Sequence, residues 1–303
     1  LALSGTINSG DQIVISGLEH HSNIVPWQML CERTGAELKV VPVLDDGTID
    51  MGAFKSLLNE RVKLVAMSHV SNALGTINPV EEIIRLAKGC GAWTLIDGAQ
   101  AAPHMSVDVQ ELGCDFYVFS GHKTYGPTGI GVLYGKEKRL DALPPWRGGG
   151  EMIKEVTFEK TTYNDLPFKF EAGTPDIEGA ISLARAIDYM NEIGMETIAT
   201  HENALEKAAS SALAEIPGIR FYGTSPNKAA VISFLVEGIH HYDMGTLMDQ
   251  MGVAVRTGHH CCQPLMTRFG ITGTVRASFA VYNTMDEVEK LVTSVRKASM
   301  MLG

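Results

Sequence analysis

The chain repeats one pattern, an apolar run of strand length followed by a polar turn, and this repetition limits the folds that it can adopt. Two of the runs stop at groups that carry chemistry. Residues 93–96 lead to Asp97, and residues 115–119 lead to Ser120-Gly121-His122-Lys123. Helix-like segments separate the runs, and such alternation builds a mostly parallel sheet covered by helices. We therefore predict an α/β fold, whose ligands bind at the carboxyl ends of the strands.

Lys123 and Asp97 together favour pyridoxal phosphate as a cofactor. A lysine at the mouth of a sheet can lose solvation and become a neutral, nucleophilic amine, as a Schiff-base lysine must. A carboxylate such as Asp97 can keep the pyridine nitrogen of the cofactor protonated. A single lysine after a strand is ordinarily a surface residue. The second strand, with its carboxylate end, reverses that interpretation.

The pattern divides the chain into a large unit at residues 1–185 and a smaller α+β unit at residues 186–303. A long helix over 177–193 connects them, and residues 143–175, rich in Pro, Gly and charge, predict an extended loop region. The other expected elements are strands at 12–16, 37–43, 62–68, 130–134, 229–236, 253–256 and 275–279, and helices at 27–31 (capped by Asn23), 51–58, 79–87, 196–215, 244–251 and 286–300.

Composition and charge exclude several classes of protein. The formal net charge of −10, without a strong basic run, argues against a nucleic-acid binder. No apolar stretch approaches the roughly 18–20 residues that a membrane span needs. The five cysteines are an odd set without disulfide-like spacing, which favours a reducing compartment, and we expect a cytoplasmic protein. The chain starts at Leu1 inside what reads as a helix, so we also expect a truncated N-terminus.

Several short motifs carry a family resemblance that extends over essentially the whole chain. In order, they are His69-Val70-Ser71-Asn72, Asp97-Gly98-Ala99-Gln100, Ser120-Gly121-His122-Lys123, Glu171-Ala172-Gly173-Thr174-Pro175, Arg256-Thr257-Gly258-His259-His260-Cys261 and Arg276-Ala277-Ser278. With these motifs the chain resembles SUF-type cysteine desulfurases and selenocysteine lyases, the SufS-like group II of the class V aminotransferase superfamily. That resemblance implies pyridoxal phosphate fold type I. The family carries a further segment, with a Gly-Thr-Thr loop for the cofactor phosphate, ahead of the position that matches Leu1.

The resemblance implies a role for each residue around the cofactor. Lys123 corresponds to the lysine that binds the cofactor and then moves the α-proton of the substrate, and Asp97 to the partner of the pyridine nitrogen. His20 matches the histidine that stacks on the ring, with His21 as its nearest rival. The other implied contacts are Gln100 at the phenolic oxygen, Asn72 beside the ring substituents and the substrate carboxylate, Ser120 and His122 at the phosphate, and Thr174 at the phosphate of a neighbouring subunit.

The resemblance also implies how the substrate is handled. Arg276 would form the main salt bridge to the α-carboxylate, with Arg256 in support, since a guanidinium can bind a carboxylate through two hydrogen bonds. Cys261 would be the nucleophile, and Cys262 a bystander that could trap a persulfide. A metal site at residues 259–262 is the alternative, but adjacent ligands rarely close a tetrahedron, so we expect no metal.

The predicted reaction converts L-cysteine to L-alanine and leaves a persulfide on Cys261 for iron–sulfur cluster assembly, with L-selenocysteine as an alternative substrate. The family resemblance further implies a homodimer. In one group of the family, a histidine directly before the corresponding Asp can compete for the zinc of a zinc-bearing sulfur acceptor. Here Tyr242 precedes Asp243, and a neutral tyrosine is a poor zinc ligand, so we expect a SufE-like sulfur acceptor. Two rival interpretations stay open at this point: another class V enzyme, such as a kynureninase or an aminotransferase, and a cofactor-free truncated scaffold.

Overall fold

A computed structural model describes residues 2–303, and its largest element is a six-stranded sheet with strand order β2-β1-β3-β4-β5-β6. The strands are β1 (Gln12–Ser16), β2 (Glu37–Val41), β3 (Val62–Ser68), β4 (Trp93–Asp97), β5 (Phe116–Ser120) and β6 (Gly131–Gly135). All neighbouring pairs are parallel except β5 and β6, which are antiparallel. The predicted α/β fold with a mostly parallel sheet is therefore confirmed.

Helices cover this sheet, and their sequences explain where they begin. They are α1 (Val25–Thr34), α2 (Met51–Leu57), α3 (Val80–Gly89), α4 (Val109–Leu112) and α5 (Glu137–Ala142). Helix α3 starts after Pro79, carries Glu81 and Glu82 in its first turn, and buries an apolar face that includes Ile83 and Ile84. Acidic residues in the first turn complement the helix dipole, and the apolar face packs on the strands.

The second half of the chain builds a four-stranded sheet of order β11-β12-β10-β9, in which every pairing is antiparallel. Its strands are β9 (Ile219–Tyr222), β10 (Val231–Val236), β11 (Arg256–Gly258) and β12 (Thr274–Ser278), and the helices are α6 (Ile177–Ile193), α7 (Met195–Leu213), α8 (His241–Gln250), α9 (Gln263–Phe269) and α10 (Met285–Leu302). Thr284 and Glu287 form a capping box that begins α10.

The structure corrects several expected elements. Residues 143–175 are not only loop, since they contain the antiparallel hairpin β7 (Ile153–Val156) and β8 (Thr161–Tyr163). The strand expected at 253–256 lies at β11, and β9 and α9 were not predicted at all. Short strands with mixed exposure give too weak a periodic signal to be read from sequence.

Asn23 does not cap a helix as expected. It ends a short 3-10 turn, and α1 begins after Ile24. The Asn23 amide nitrogen donates to Glu19 Oε2 at 2.6 Å, and its oxygen accepts from Trp27 Nε1 at 2.9 Å. Hydrogen bonds to the buried side chains four residues before and four residues after Asn23 have therefore replaced the capping bond.

The segment around α9 packs into the core of the large sheet. Cys262, Leu265 and Met266, from the segment around α9, join the core cluster that Val14 and Val65 form on the six-stranded sheet. The C-terminal sheet has its own core beneath α7, α8 and α10. The start of α9 is thus anchored to the large sheet. Among residues 2–303, no helix combines the length and the apolar character that crossing a membrane demands.

Candidate active site

A cavity of about 610 Å³ lies at the carboxyl ends of β4 and β5. Within residues 2–303, its walls include every site residue predicted from sequence except Thr174. They are His20, Asn72, Asp97, Gln100, Ser120, His122, Lys123, Arg256, Cys261 and Arg276. The cavity therefore combines strand ends of the large sheet with residues of the C-terminal half.

Thr174 lies outside this cavity. It is exposed, in the irregular segment between β8 and α6. Exposed apolar side chains flank it on both sides in sequence, among them Phe168, Ile177 and Ile181. A single copy of the chain therefore does not bring Thr174 to its own cavity.

Asp97 and Lys123 are placed by neighbouring parallel strands. Asp97 is the last residue of β4 and pairs with Val118 of β5. Lys123 ends a short 3-10 turn that directly follows β5. Burial lowers the pKa of the Lys123 amine below its usual range, while the nearby Asp97 carboxylate acts in the opposite direction. A lysine in this environment is more readily neutral than one in water.

Gly98 permits the close approach that this arrangement needs. A β-carbon at this position would overlap the ring of Tyr117, which belongs to β5. Asp97 Oδ1 accepts a hydrogen bond from the Ala99 N–H at 2.9 Å, so the turn after β4 holds the carboxylate. Glycine here was visible in the sequence, but its reason, the Tyr117 ring, was not.

His20 and His21 have different surroundings. His20 lines the cavity, its Nδ1 lies 2.8 Å from Ser22 Oγ, and the same atom accepts the Ser22 N–H at 3.1 Å. Burial, followed by the charge of Lys123, lowers the pKa of His20. His21 is absent from the cavity wall formed by residues 2–303, and its ring nitrogen Nε2 accepts the N–H of Gln263.

Glu19 is a buried carboxylate that the sequence analysis missed. Its oxygens accept hydrogen bonds from Ser16 Oγ, the Ser68 N–H and Asn23 Nδ2. Burial raises the pKa of Glu19 to about 7, although these donors oppose the increase. The carboxylate thus ties the ends of β1 and β3 to the segment that carries His20. Only its position beside the predicted His20 could have drawn attention to it.

Two arginines approach the cavity from the C-terminal sheet, in adjacent strands. Arg276 is half-buried, and its Nη1 donates to the Asn72 carbonyl oxygen at 2.7 Å. Burial lowers the pKa of Arg276 to about 10, and the charge of Arg256 acts in the same direction. Arg256 is exposed and directs Nη2 at Cys261 Sγ, 3.6 Å away. The cavity therefore places positive charge beside the thiol.

Cys261 and Cys262 differ in exposure and in partners. Cys261 is half-buried and lines the cavity. Cys262 is fully buried, its Sγ donates to Asn72 Oδ1 at 3.0 Å, and burial raises the pKa of its thiol to about 12. Since thiolates are the reactive form, Cys262 is the less reactive of the two.

The histidines beside Cys261 are engaged in hydrogen bonds. His260 is buried, its Nε2 lies 2.8 Å from Thr274 Oγ1, and burial lowers its pKa to about 3. His259 Nδ1 accepts the N–H of Cys261 at 3.1 Å. Across residues 2–303, no three His, Cys, Asp or Glu side chains converge in a way that could hold a metal ion.

The residues of the cavity fit pyridoxal phosphate. Lys123 offers an amine with a lowered pKa, Asp97 offers a carboxylate for a protonated pyridine nitrogen, and Ser120 and His122 offer donors for a phosphate. The imidazole of His20 lies in the same wall. The donor set thus matches the charges and hydrogen-bonding groups of this cofactor.

Comparisons with known proteins agree with this fit. The aminotransferase class-V family model matches residues 1–291. The cysteine desulfurase of Dickeya dadantii is 52% identical over 295 residues, which are 97% of this chain and 71% of that protein. The crystal structure of the Escherichia coli cysteine desulfurase CsdA superposes with a TM-score of 0.96 at 40% identity, covering 100% of this chain and 75% of that one.

A cysteine desulfurase from Thermococcus onnurineus, solved in its apo form, gives a TM-score of 0.95 at 42% identity, covering 99% of this chain and 75% of that one. The match therefore holds at high identity in both sequence and structure, over nearly the whole chain. The chain belongs to the class V aminotransferase family, in its cysteine desulfurase branch, and its cofactor is pyridoxal phosphate.

Proposed function

We propose that the chain converts L-cysteine to L-alanine and carries the released sulfur as a persulfide on Cys261. One observation carries the proposal: a half-buried thiol shares a cavity with the lysine and the aspartate of a pyridoxal phosphate site. The neighbouring Arg256 supplies positive charge at 3.6 Å from the sulfur. A kynureninase or an aminotransferase would need no cysteine at this position.

The cofactor would be held by residues of the large sheet. Lys123 would bind it covalently, Asp97 would face its pyridine nitrogen, Gln100 its phenolic oxygen, and His20 its ring. Ser120 and His122 would donate to its phosphate. When bound, pyridoxal phosphate withdraws electrons from the α-carbon of an amino acid and so makes its proton acidic.

Lys123 would then act as the base. Because burial lowers the pKa of its amine, a neutral form that can accept the α-proton is more accessible than in water. Arg276 would bind the α-carboxylate through its guanidinium, with Arg256 in support and Asn72 beside them. The hydrogen bond from Arg276 Nη1 to the Asn72 carbonyl holds one end of the guanidinium.

Cys261 would attack the γ-sulfur of the substrate as a thiolate. The new sulfur–sulfur bond forms while the carbon–sulfur bond of the substrate breaks, and the electron pair of that bond stays with the carbon framework. A proton is added to the β-carbon, the α-carbon regains its proton, and L-alanine leaves. Cys261 retains the second sulfur as a persulfide, which a thiol acceptor can remove.

The deciding experiment compares Cys261→Ala with Cys262→Ala in the protein loaded with cofactor. We expect Cys261→Ala to keep the cofactor absorbance but to lower alanine formation by at least about 100-fold. The reason is that Lys123 would bind the cofactor, whereas Cys261 would attack the substrate sulfur. Mass spectrometry of wild-type protein treated with L-cysteine should find 32 Da added to the peptide that contains Cys261 (roughly the mass of one sulfur atom, as expected for a persulfide). Undiminished alanine formation by Cys261→Ala would reject the proposal.

The finer assignments also belong to this proposal. They are membership of the SUF system, a cytoplasmic location, turnover of L-selenocysteine, and a division into units at residues 1–185 and 186–303. The separate core of the C-terminal sheet supports that division. Turnover of L-selenocysteine is tested by alanine formation from that substrate, and none would be formed if the assignment were wrong.

A homodimer is proposed because Thr174 would reach the phosphate site of a second subunit. Exposed apolar residues near it, such as Phe168, Ile177 and Ile181, support a contact surface. Sedimentation at assay concentration should give a dimer, and a fully active monomer would contradict the assignment.

The proposed acceptor of sulfur is a SufE-like protein. Tyr242 is exposed in the first turn of α8, directly before Asp243, and a neutral phenol is a poor zinc ligand. Alanine formation should therefore rise on addition of a SufE-like acceptor. Stimulation by a zinc-bearing acceptor alone would show that the assignment is wrong.

A further inference from the structure

Helix α9 begins directly after the two cysteines, and its first N–H is capped from a distant part of the chain. Cys262 is the N-cap residue, but its side chain makes no capping bond to any backbone N–H within residues 2–303. The N–H groups of a first helical turn need acceptors from outside the helix. Here His21 Nε2 accepts the N–H of Gln263 at 3.1 Å, across 242 residues of sequence.

His21 makes a second hydrogen bond, through its backbone, to the loop at residues 259–262 that precedes α9. Its N–H donates to the carbonyl oxygen of Cys261 at 2.8 Å. The two bonds therefore hold the chain on both sides of Cys262, at the carbonyl of Cys261 and at the N–H of Gln263. The Cys261 N–H, in turn, donates to His259 Nδ1 at 3.1 Å. Both backbone polar groups of Cys261 are thus bonded to histidine residues.

This loop needs such support because its backbone conformation is unfavourable. His260 has φ +53° and Cys261 has φ +57°, values at which non-glycine residues are uncommon. A strained segment persists only where the surrounding structure determines it. Released from its partners, the loop would relax and move the Cys261 sulfur away from its place in the cavity.

We propose that His21 is a positioning residue that holds the Cys261 loop by capping α9 across the chain. The inference rests on the proposed function, because it assigns His21 an effect on sulfur transfer through Cys261. Nε2 accepts the Gln263 N–H through its ring lone pair, so the contact needs this nitrogen to carry no proton. His20, one residue earlier, lines the cavity itself, whereas His21 contacts the chain directly after Cys261 and Cys262.

The test compares His21→Gln, which keeps an acceptor near the position of Nε2, with His21→Leu, which fills similar volume without an acceptor. Each cofactor-loaded variant is assayed for alanine formation with a small thiol as sulfur acceptor. Hydrogen–deuterium exchange of peptides covering residues 259–265 is measured on the same samples. His240→Ala is the matched control, because His240 also accepts a backbone N–H at a helix start, that of α8.

We expect His21→Leu to lower kcat by about 10- to 100-fold, because small displacements of a reacting group have effects of this size. KM and the cofactor absorbance should stay within about twofold of wild type, as only the sulfur attack depends on the loop. The 259–265 peptides should exchange faster. His21→Gln should recover most of kcat and of the protection, and His240→Ala should leave both unchanged.

The inference is overturned if His21→Leu has wild-type kcat and wild-type exchange. It is also overturned if Gln and Leu are equally impaired and both lose cofactor binding, since His21 would then support the fold in general. These outcomes are separate from failure of the proposed function. That failure would show as alanine formation by Cys261→Ala, whatever the His21 variants do.

Discussion

The two walls of the active-site cavity are built in different ways. The wall with Asp97 and Lys123 consists of the ends of adjacent parallel strands, β4 and β5. The wall with Cys261 is a loop held by contacts that are remote in sequence. Asn72 Nδ2 donates to the His260 carbonyl oxygen across 188 residues, and Cys262 Sγ donates to Asn72 Oδ1 across 190. One wall thus follows from local sequence, and the other from tertiary contacts.

This difference has a functional counterpart. The strand-end wall carries the groups that would hold the cofactor, whereas the loop carries the thiol, and the adjacent strands β11 and β12 carry the arginines that would bind the carboxylate. Damage to one wall should therefore leave the chemistry of the other largely intact. Lys123→Ala and Cys262→Ala test this separation, and Glu19→Gln tests the support beneath the His20 segment.

The largest effect is expected from Lys123→Ala in the strand-end wall. Loss of both the covalent link to the cofactor and the base should lower alanine formation by at least about 1,000-fold. The visible absorbance of the lysine-bound cofactor should disappear. Alkylation of Cys261 by iodoacetamide should proceed at the wild-type rate, because the loop does not depend on Lys123. Lys297→Ala, at an exposed position of α10, is the control. Changed alkylation in Lys123→Ala would show that the walls are coupled.

A second test concerns Glu19, which ties the ends of β1 and β3 together beneath the His20 segment. Its pKa is about 7 in the folded protein, against 4.5 for an ordinary glutamate. Between these values the folded state binds more protons than the unfolded state, so the free energy of unfolding falls as pH rises from about 5 to about 7. The shift corresponds to a loss on the order of 3 kcal/mol.

Glu19→Gln should remove this part of the pH dependence, because the amide stays neutral throughout. The measurement is urea unfolding between about pH 5 and pH 8, where the midpoint of the variant should change less than that of the wild type. Glu159→Gln, at an exposed position, serves as the control. Identical pH profiles for Glu19→Gln and wild type would contradict the prediction.

The smallest effect is expected from Cys262→Ala in the loop wall. It removes a buried thiol and its hydrogen bond to Asn72, at a cost of about 1–2 kcal/mol in the free energy of unfolding. Alanine formation should fall less than about fivefold, and Cys262→Ser, which keeps a donor, should be closer to wild type. Thermal unfolding and turnover assays check both statements. A loss of turnover as large as that of Cys261→Ala would show that Cys262 takes part in sulfur transfer.

The contrast between the walls also explains which residues of the site could be predicted from the sequence pattern and which could not. Asp97 and Lys123 end clear apolar runs, so both their placement and the parallel sheet followed from hydrophobic pattern. Cys261, Arg256 and Arg276 were recognised only through motifs of a known family, since no local pattern brings them to the same cavity.

Other features escaped prediction for physical reasons. The carboxylate of Glu19 has its donors at Ser16, Asn23 and Ser68, and the last of these is 49 residues away. Asn23 was expected to cap α1, but the buried Glu19 and Trp27 groups took its hydrogen bonds. The Ser68 contact exists only in the finished fold, and the two Asn23 bonds follow from the burial of Glu19 and Trp27, so single-sequence patterns could not reveal either.

The capping of α9 by His21 has a consequence for the order of events during folding. A contact across 242 residues requires almost the whole chain to be in place, and contacts of such separation form slowly. The strands β4 and β5, by contrast, are separated by fewer than 20 residues. We therefore expect a refolding chain to assemble the lysine and aspartate pocket first. Catalytic competence would be the last property that the molecule acquires.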